Sequence, residues 1–534
     1  MLDRLRQEIT SAAFRRLFFL LMAAIAVFFL FKVIVFYAVE DVHTLFGLGA
    51  FAMAAAGARL RMSDFVLPSR ILLRTIFGLF GLYALAAYPT MPGDSLPPMD
   101  GLLLHYGRFF AAGFAVLSLF RPSFGLILLT YVLWFKGTLG HFIGTTLSVT
   151  DYMPLIEVAT FLVIARMVQA VFEKRGWMDS VPPADDSTLA TGEKIFLLAI
   201  AVHMANYFYS AHKKIVIGDH ALSWVFENQT QALVSNADAY GQFPFSFSPF
   251  LTAFSHDALG AIVVLSNLLL FAGQLFSLFA LFRIRWGVWT TLFYDLTHVV
   301  IFVASGIFFY KWIILNLSIV MALETMKRRI VTPGLQLLLM AMILASPLCF
   351  FVAHLGWWDT PQTNIEYFSA VTKDGRAVRI PSNYFGAFSI VLGQQRMIFD
   401  KSNGFVPTST YGMTRDQRLM EQGLTCSIPL KAVHNHDVIA ETFANPDNKI
   451  TPFIQNYHRW VLSHAGADGH WLFDAYPHHI FSFPWGYDEF YALNLNDIVA
   501  YRYTVEAACV DVQDGKVAVT VQKEGHHDIP VSEP

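Results

Sequence analysis

Through the first two thirds of the chain the apolar positions neither alternate nor recur every third or fourth residue. They run on. Eleven such runs lie near residues 15–38, 43–59, 71–89, 101–120, 123–145, 153–173, 193–211, 250–281, 286–305, 307–326 and 334–355. Each reaches or approaches the ~20 residues that an α-helix needs to cross ~30 Å of hydrocarbon. The run at 43–59 is short for that task, and the run at 250–281 is long enough to tilt or break. From residue 357 the pattern changes. "IEYFSAVTKDGRAVRIP" alternates around a Lys-Asp-Gly turn signal, and "IVAYRYTVEAACVDVQDGKVAVTVQ" does the same around Asp514-Gly515. Between them "TRDQRLMEQGL" and "TPFIQNYHRWVLSHAG" read as short helices. The pattern predicts a polytopic α-helical membrane domain over 1–356, and a β-strand-rich soluble domain over 357–534 that is α+β or sandwich-like.

Composition strengthens this division. Charged residues make up only 14% of the 534 positions and the mean hydropathy is +0.48, whereas soluble chains carry roughly 25% charge. The basic residues also give an orientation. Arg4, Arg6, Arg15 and Arg16 precede the first run. Arg59, Arg61, Arg70 and Arg74 follow the second, Arg121 the fourth and Lys174 with Arg175 the sixth. Arg283 and Arg285 follow the eighth, and Lys327, Arg328 and Arg329 the tenth. The alternate loops "YPTMPGDSLPPMD" and "TTLSVTD" carry no basic residue. By the positive-inside rule the N-terminus is cytoplasmic, and eleven spans put the tail on the opposite side of a cell (inner) membrane. Leu17–Tyr37 is too long for a signal-peptide core and has no small-residue cleavage site behind it. Of three cysteines, Cys349 lies in an apolar run, while Cys426 and Cys509 lie in the tail. They are expected to be a disulfide or both buried, because exposed free thiols are disfavoured in an oxidising compartment. A net charge of −3 offers nothing to nucleic acid.

Within this map "YSAHKKIVIGDHALSW" is out of place. His212, Lys213 and Lys214 stand at the end of an apolar run, on the side that otherwise avoids basic residues. A lysine at a helix end can simply snorkel, its stem in the apolar layer and its ammonium in the interface. A second polar group lies inside "WTTLFYDLTHVVIFVASGIFFYKW", where Asp295 and His298 are three residues apart and share a helix face. Such residues face the protein interior or a water-filled cavity, either as a pair that locks helices or as a proton-handling site. His105, Arg108, His141, Glu157, His203, His256 with Asp257, Gln274 and Asn316 are further polar groups in the apolar runs. Each alone reads as a packing or hydrogen-bond feature, and together they suggest a polar interior. His141 and His256 lie near the same end of the bundle as Lys213 and Lys214. The tail holds "HNHD" (His434, His436, Asp437) and "PHH" (His478, His479). Their spacing matches no zinc template, and no metal is expected.

Two segments together resemble one family. "NYFYSAHKKIVIGDHALSW" is similar to the vitamin K-dependent γ-carboxylase and its bacterial relatives, the horizontally transferred transmembrane domain (HTTM) proteins. They share a Tyr-Phe helix end, a small residue, one or two lysines and a Trp-bearing turn, here Trp224. "FAGQLFSLFALFRIRWGVWTTLFYDLTHVVIFVASGIFFYKWIILNLSI" is similar to the family's later helix pair. The resemblance covers about residues 190–330 and departs where the family's histidine is replaced by Tyr294-Asp295, with His298 one turn on. No propeptide-binding region is recognisable. In the carboxylase a lysine of the paired motif deprotonates vitamin K hydroquinone. Oxygen addition then creates a base able to remove a γ-proton from a peptide glutamate, whose carbanion takes up carbon dioxide.

The resemblance implies Lys214 as base with Lys213 beside it, Asp295 and His298 in the proton chemistry, and His212, His141, His256 and Trp224 around a quinone-type cofactor. A lysine is a base only as the neutral amine, which a neighbouring ammonium and an apolar surround both favour. The expected activity is therefore that of a carboxylase-like lyase or quinol-dependent oxygenase. It would act on a peptide or protein at the outer face, with the lipid bilayer and the tail as partner surfaces. The alternatives are a non-catalytic scaffold that displays its tail to another protein and, with no matched interrupted helices to suggest inverted repeats, a transporter.

Overall fold

A computed structural model describes residues 2–41, 43–86, 98–143, 150–178, 187–382, 384–385, 410–423, 426, 450–464 and 482–531. The chain is mostly helical, with a β-sheet region at its C-terminal end. In order the helices are α1 (Leu2–Thr10), α2 (Ala12–Phe31), α3 (Gly47–Ala56), α4 (Leu67–Ala86), α5 (Pro98–Ser118), α6 (Gly125–Ile143), α7 (Met153–Lys174) and α8 (Thr191–Val216). There follow α9 (Ser223–Glu227), α10 (Ala232–Ala239), α11 (Pro249–Ala261), α12 (Val263–Ala280), α13 (Ile284–Ser305), α14 (Tyr310–Glu324) and α15 (Pro333–Ala345). The last three are α16 (Gln417–Gly423), α17 (Ile450–His464) and α18 (Asp488–Tyr491).

Among the described residues six helices are long and apolar enough to cross a membrane. They are α2 with its continuation to Glu40, α4, α7, α8, α12 and α13. The short run at 43–59 yields a helix of only 10 residues, α3. The long run at 250–281 is broken at Ile262 into α11 and α12. The run at 334–355 is helical only to Leu348, because Pro347 stops α15 in a tight turn. From Phe351 to Trp357 the chain has no regular secondary structure. The run at 307–326 gives α14, only 15 residues long, so three of the expected spans are shorter than a bilayer and a fourth is two helices.

α8 sits at the middle of the bundle, packed against α7, α12 and α15, and 83% of its most apolar window is buried. α13 and α14 pack on each other, α14 also lies on α4, and α2 lies against α7. Beyond Phe31, α2 widens into a π-helical stretch, Lys32–Tyr37, a distortion that often accompanies functional polar groups.

The tail sheet is antiparallel in the order β3-β2-β5-β6, from β2 (Gln362–Thr372), β3 (Ala377–Arg379), β5 (Ile498–Gln513) and β6 (Lys516–Pro530). The turn expected at Asp514-Gly515 is present, both residues having left-handed φ (51° and 70°) as a two-residue hairpin requires. A short pair, β1 (Trp358–Asp359) with β4 (Met413–Thr414), sits apart. Both tail helices predicted from sequence appear, as α16 and α17. Cys426 is disulfide-bonded to Cys509 in β5, as one of the two expectations had it. With one main sheet and helices beside it, the described tail is α+β.

α10 and α11 lie under the sheet and hold it. Asn236 donates to the carbonyls of Thr360 (2.9 Å) and Tyr411 (2.7 Å). Arg379 donates to Ala239 O (3.0 Å), and Tyr487 to Gly241 O (3.0 Å).

Candidate functional site

α8 ends at Val216, and Lys214 occupies its last turn. The side chain turns inward and is only 4% exposed. Its Nζ donates to Gln274 Oε1 on α12 (2.9 Å) and to the Leu355 carbonyl (3.0 Å), and it lies 4.7 Å from the centre of the Trp224 ring. None of these partners is charged. The nearest anion, Asp359, already accepts from Asn228 (2.8 Å) and the Trp357 indole (3.1 Å). Burial pushes the Asp359 carboxyl up to about 6, against those two hydrogen bonds and the Lys214 charge. The snorkelling alternative for Lys214 is thus overturned: a snorkelled ammonium reaches water, and this one does not.

The neighbours of Lys214 in sequence point elsewhere, since consecutive helical residues diverge by about 100°. His212 is exposed, with its ring 5.8 Å from Tyr209. Lys213 is half-buried and packs against Gly356, where a Cβ would come within 2.9 Å of the Lys213 stem. The expected cluster of three side chains around one pocket is not formed.

Asp295 and His298 do face the interior, at 7% and 6% exposure. Around Asp295 the organiser is Asn316 on α14. Its Nδ2 donates to Asp295 Oδ1 (2.9 Å) and to the Tyr207 hydroxyl (2.9 Å), and its Oδ1 meets His203 Nε2 (2.8 Å). Tyr207 stacks on Tyr294 with ring centres 3.6 Å apart, and His298 lies among the rings of Phe309, Trp312 and Tyr207. Tyr294 donates to Gly273 O (2.9 Å), one residue before the Gln274 that holds Lys214. The Asp295 network and Lys214 are therefore joined through α12, though they are not in direct contact.

Of the other expected residues, Trp224 forms the wall against Lys214. His256 pairs with its neighbour Asp257 on α11 (3.1 Å). His141 lies in α6, but its side chain is outside the described residues, as are His434, His436, Asp437, His478 and His479. Among the described residues no group of three or more metal-ligating side chains occurs.

Sequence reasoning missed two features. First, among the described residues three other lysines are buried. Lys32 pairs with Glu157 (2.7 Å) and Lys311 with Asp151 (2.6 Å). Lys136, 5% exposed, faces the rings of Tyr83 and Tyr152, each 5.5 Å away. Lys32 and Lys136 stand inside apolar runs, which was signal enough.

Second, residues 349–357 form an irregular strap laid along the bundle. Its carbonyl at Cys349 accepts from Lys32 (3.2 Å), and Phe351 N donates to Glu157 (2.6 Å). Ala353 N donates to Asn206 (2.8 Å) and Leu355 N to Ser210 (3.1 Å). Trp357 O accepts from the Trp224 indole (2.7 Å). Asn206, Ser210 and Lys214 recur every fourth residue and make one polar stripe on α8, legible in "NYFYSAHKK". The stripe answers a strict need, for non-helical backbone inside a bundle must have its polar groups bonded.

Comparison of the chain with models of protein families, with curated proteins and with solved structures gives no match.

Proposed function

We propose that the protein is a multi-pass membrane enzyme of the carboxylase-like kind, working at the face that carries the sheet. In this reading Lys214 is a base toward a hydroquinone-type cofactor. The observation that carries it is the character of the Lys214 site: a buried amine held by neutral acceptors and an indole face, with no carboxylate bonded to it. Those groups suit both states of a base. As the neutral amine Lys214 takes a phenolic proton. The ammonium so formed is then held by Gln274 Oε1, the Leu355 carbonyl and the Trp224 ring, the last by cation–π attraction. The Trp224 ring is the surface a flat apolar ring would stack on, and a hydroquinone would supply the acidic phenol. Asp295 and His298, packed behind this site through Tyr294 and α12, are proposed to take part in the proton chemistry from the cofactor's side, not by a relay from Lys214. The peptide or protein substrate would approach from the sheet side.

The same reading keeps eleven spans, a cytoplasmic N-terminus and the tail outside a cell (inner) membrane. The Cys426–Cys509 disulfide supports that placement, since such bonds persist in oxidising compartments.

The test uses the whole protein in lipid, with vitamin K hydroquinone as probe and its consumption as readout. Wild-type protein is expected to consume it and Lys214→Arg to lose that activity, because arginine stays protonated. Lys214→Arg should still fold, with a melting temperature close to wild type. Undiminished turnover by the arginine variant, or no consumption by wild-type protein, defeats the proposal.

A second reading is favoured by the strap. Lys214 belongs to the stripe that fastens it, and a non-catalytic scaffold displaying the sheet needs that fastening alone. Arginine would then substitute freely in every assay.

A further inference from the structure

The tail is not held only by α10 and α11. The segment Ser482–Tyr487 brings a second contact down onto a membrane-length helix. Phe483 packs on Phe302 of α13 (ring centres 5.9 Å apart), and Trp485 stacks on Phe483 (4.7 Å) and meets Phe247 edge-on (6.0 Å). These aromatics are not hidden. Trp485 is 43% exposed, Phe247 60%, Phe250 70% and Phe254 60%. A soluble domain rarely leaves such a cluster open to water.

The depth of the cluster can be worked out from α13. Its 22 residues measure about 33 Å at 1.5 Å per residue, close to the ~30 Å of hydrocarbon they would cross. Phe302 lies three residues before its end at Ser305, hence about 5 Å inside. Its neighbours Val299, Val300 and Val303 are 46%, 51% and 41% exposed, as lipid-facing positions should be. A tail side chain resting on Phe302 therefore sits at the boundary between hydrocarbon and headgroups. That is the level at which tryptophan is enriched in membrane proteins.

We infer that Phe483 and Trp485, with Phe247, Phe250 and Phe254, form an aromatic lip that lies in the outer part of the sheet-side leaflet. The occupant of this surface is lipid. The tail is thus anchored to the bilayer itself as well as to the bundle. The inference rests on the membrane reading of α13, and it stands whether or not Lys214 is a base.

The test is depth measurement in proteoliposomes of phosphatidylcholine. A nitroxide is placed at Trp485→Cys in a Cys349→Ser background that leaves the tail disulfide intact. A second is placed at Lys373→Cys, on an exposed turn of the sheet. The label at 485 is expected to collide more with oxygen, which dissolves in lipid, than with a water-soluble nickel chelate. The label at 373 should show the reverse. Equal access of the nickel chelate to both labels overturns the lip. If the cysteine variants do not fold, Trp485→Phe serves instead. Quenching of the intrinsic fluorescence by lipids brominated high on their acyl chains should then be smaller in the variant than in wild-type protein. Identical quenching in the two proteins overturns the inference equally.

Discussion

Lys32 and Lys311 differ from Lys214 in one respect that decides what each is for. All three are about equally buried, at 4% exposure. Lys32 and Lys311 each close on a carboxylate at 2.7 and 2.6 Å, whereas Lys214 closes on an amide oxygen and a backbone carbonyl. A buried ammonium paired with a carboxylate is a fixed charge, and breaking the pair strands its partner in a medium that cannot solvate it. A buried amine among neutral acceptors strands nothing when its proton leaves. The first arrangement locks helices together; the second leaves a group free to change state.

The comparison is exposed most severely at Glu157. Glu157→Ala should cost about 3–5 kcal/mol, because it leaves Lys32 unpaired and Phe351 N without its acceptor. The loss should show as a fall in thermal stability of the purified protein. A cost under about 1 kcal/mol, the range of exposed pairs, would mean that water reaches the pair and that it locks nothing.

Asp359 probes the neutral site from its edge. Its folded pKa of about 6 lies above the ordinary value of 3.8, so folding favours the protonated acid. The resulting stability is fully present below pH 3.8 and is lost as pH rises through 6. Unfolding free energies measured across that window should fall by up to about 3 kcal/mol, and Asp359→Asn should flatten the slope. An unchanged slope in Asp359→Asn would assign the pH dependence to another group.

The smallest effect is expected at Lys214 itself. Lys214→Met leaves the Leu355 carbonyl bare while Gln274 can turn away, a cost of about 1–2 kcal/mol. If Lys214→Met destabilises as much as Glu157→Ala, the two kinds of lysine are not different in kind. Lys214 would then be a strap fastener.

Much of this architecture could be read in the chain. Long unbroken apolar runs identify membrane-length helices because nothing else buries so many consecutive side chains. The alternation around Asp514-Gly515 fixed a hairpin whose turn only left-handed residues can make. The inward faces of Asp295 and His298 followed from the cost of exposing them to lipid. What was not legible depends on distant partners. "SPLCFFVAHLG" is as apolar as any helix, and only the acceptors and donors on α2, α7 and α8 make an irregular path affordable there. Asn316 lacks any local sign that it would gather Asp295, Tyr207 and His203. The grouping of His212 and Lys213 with Lys214 failed for a plainer reason: adjacency in sequence is divergence on a helix.

The strap has a consequence for how the chain is made. Lys32, Glu157, Asn206, Ser210 and Lys214 all emerge from the ribosome long before residues 349–357, in the case of Lys32 by 317 positions. Until the strap arrives Lys32 and Glu157 have each other and Lys214 has Gln274, while Asn206 Oδ1 still lacks the backbone N–H it later accepts from. The strap's backbone contacts with α2, α7 and α8 can therefore form only after those helices have been made. The sheet strands follow the strap in the chain, so the sheet reaches its seat on α10 and α11 only after the strap has been made.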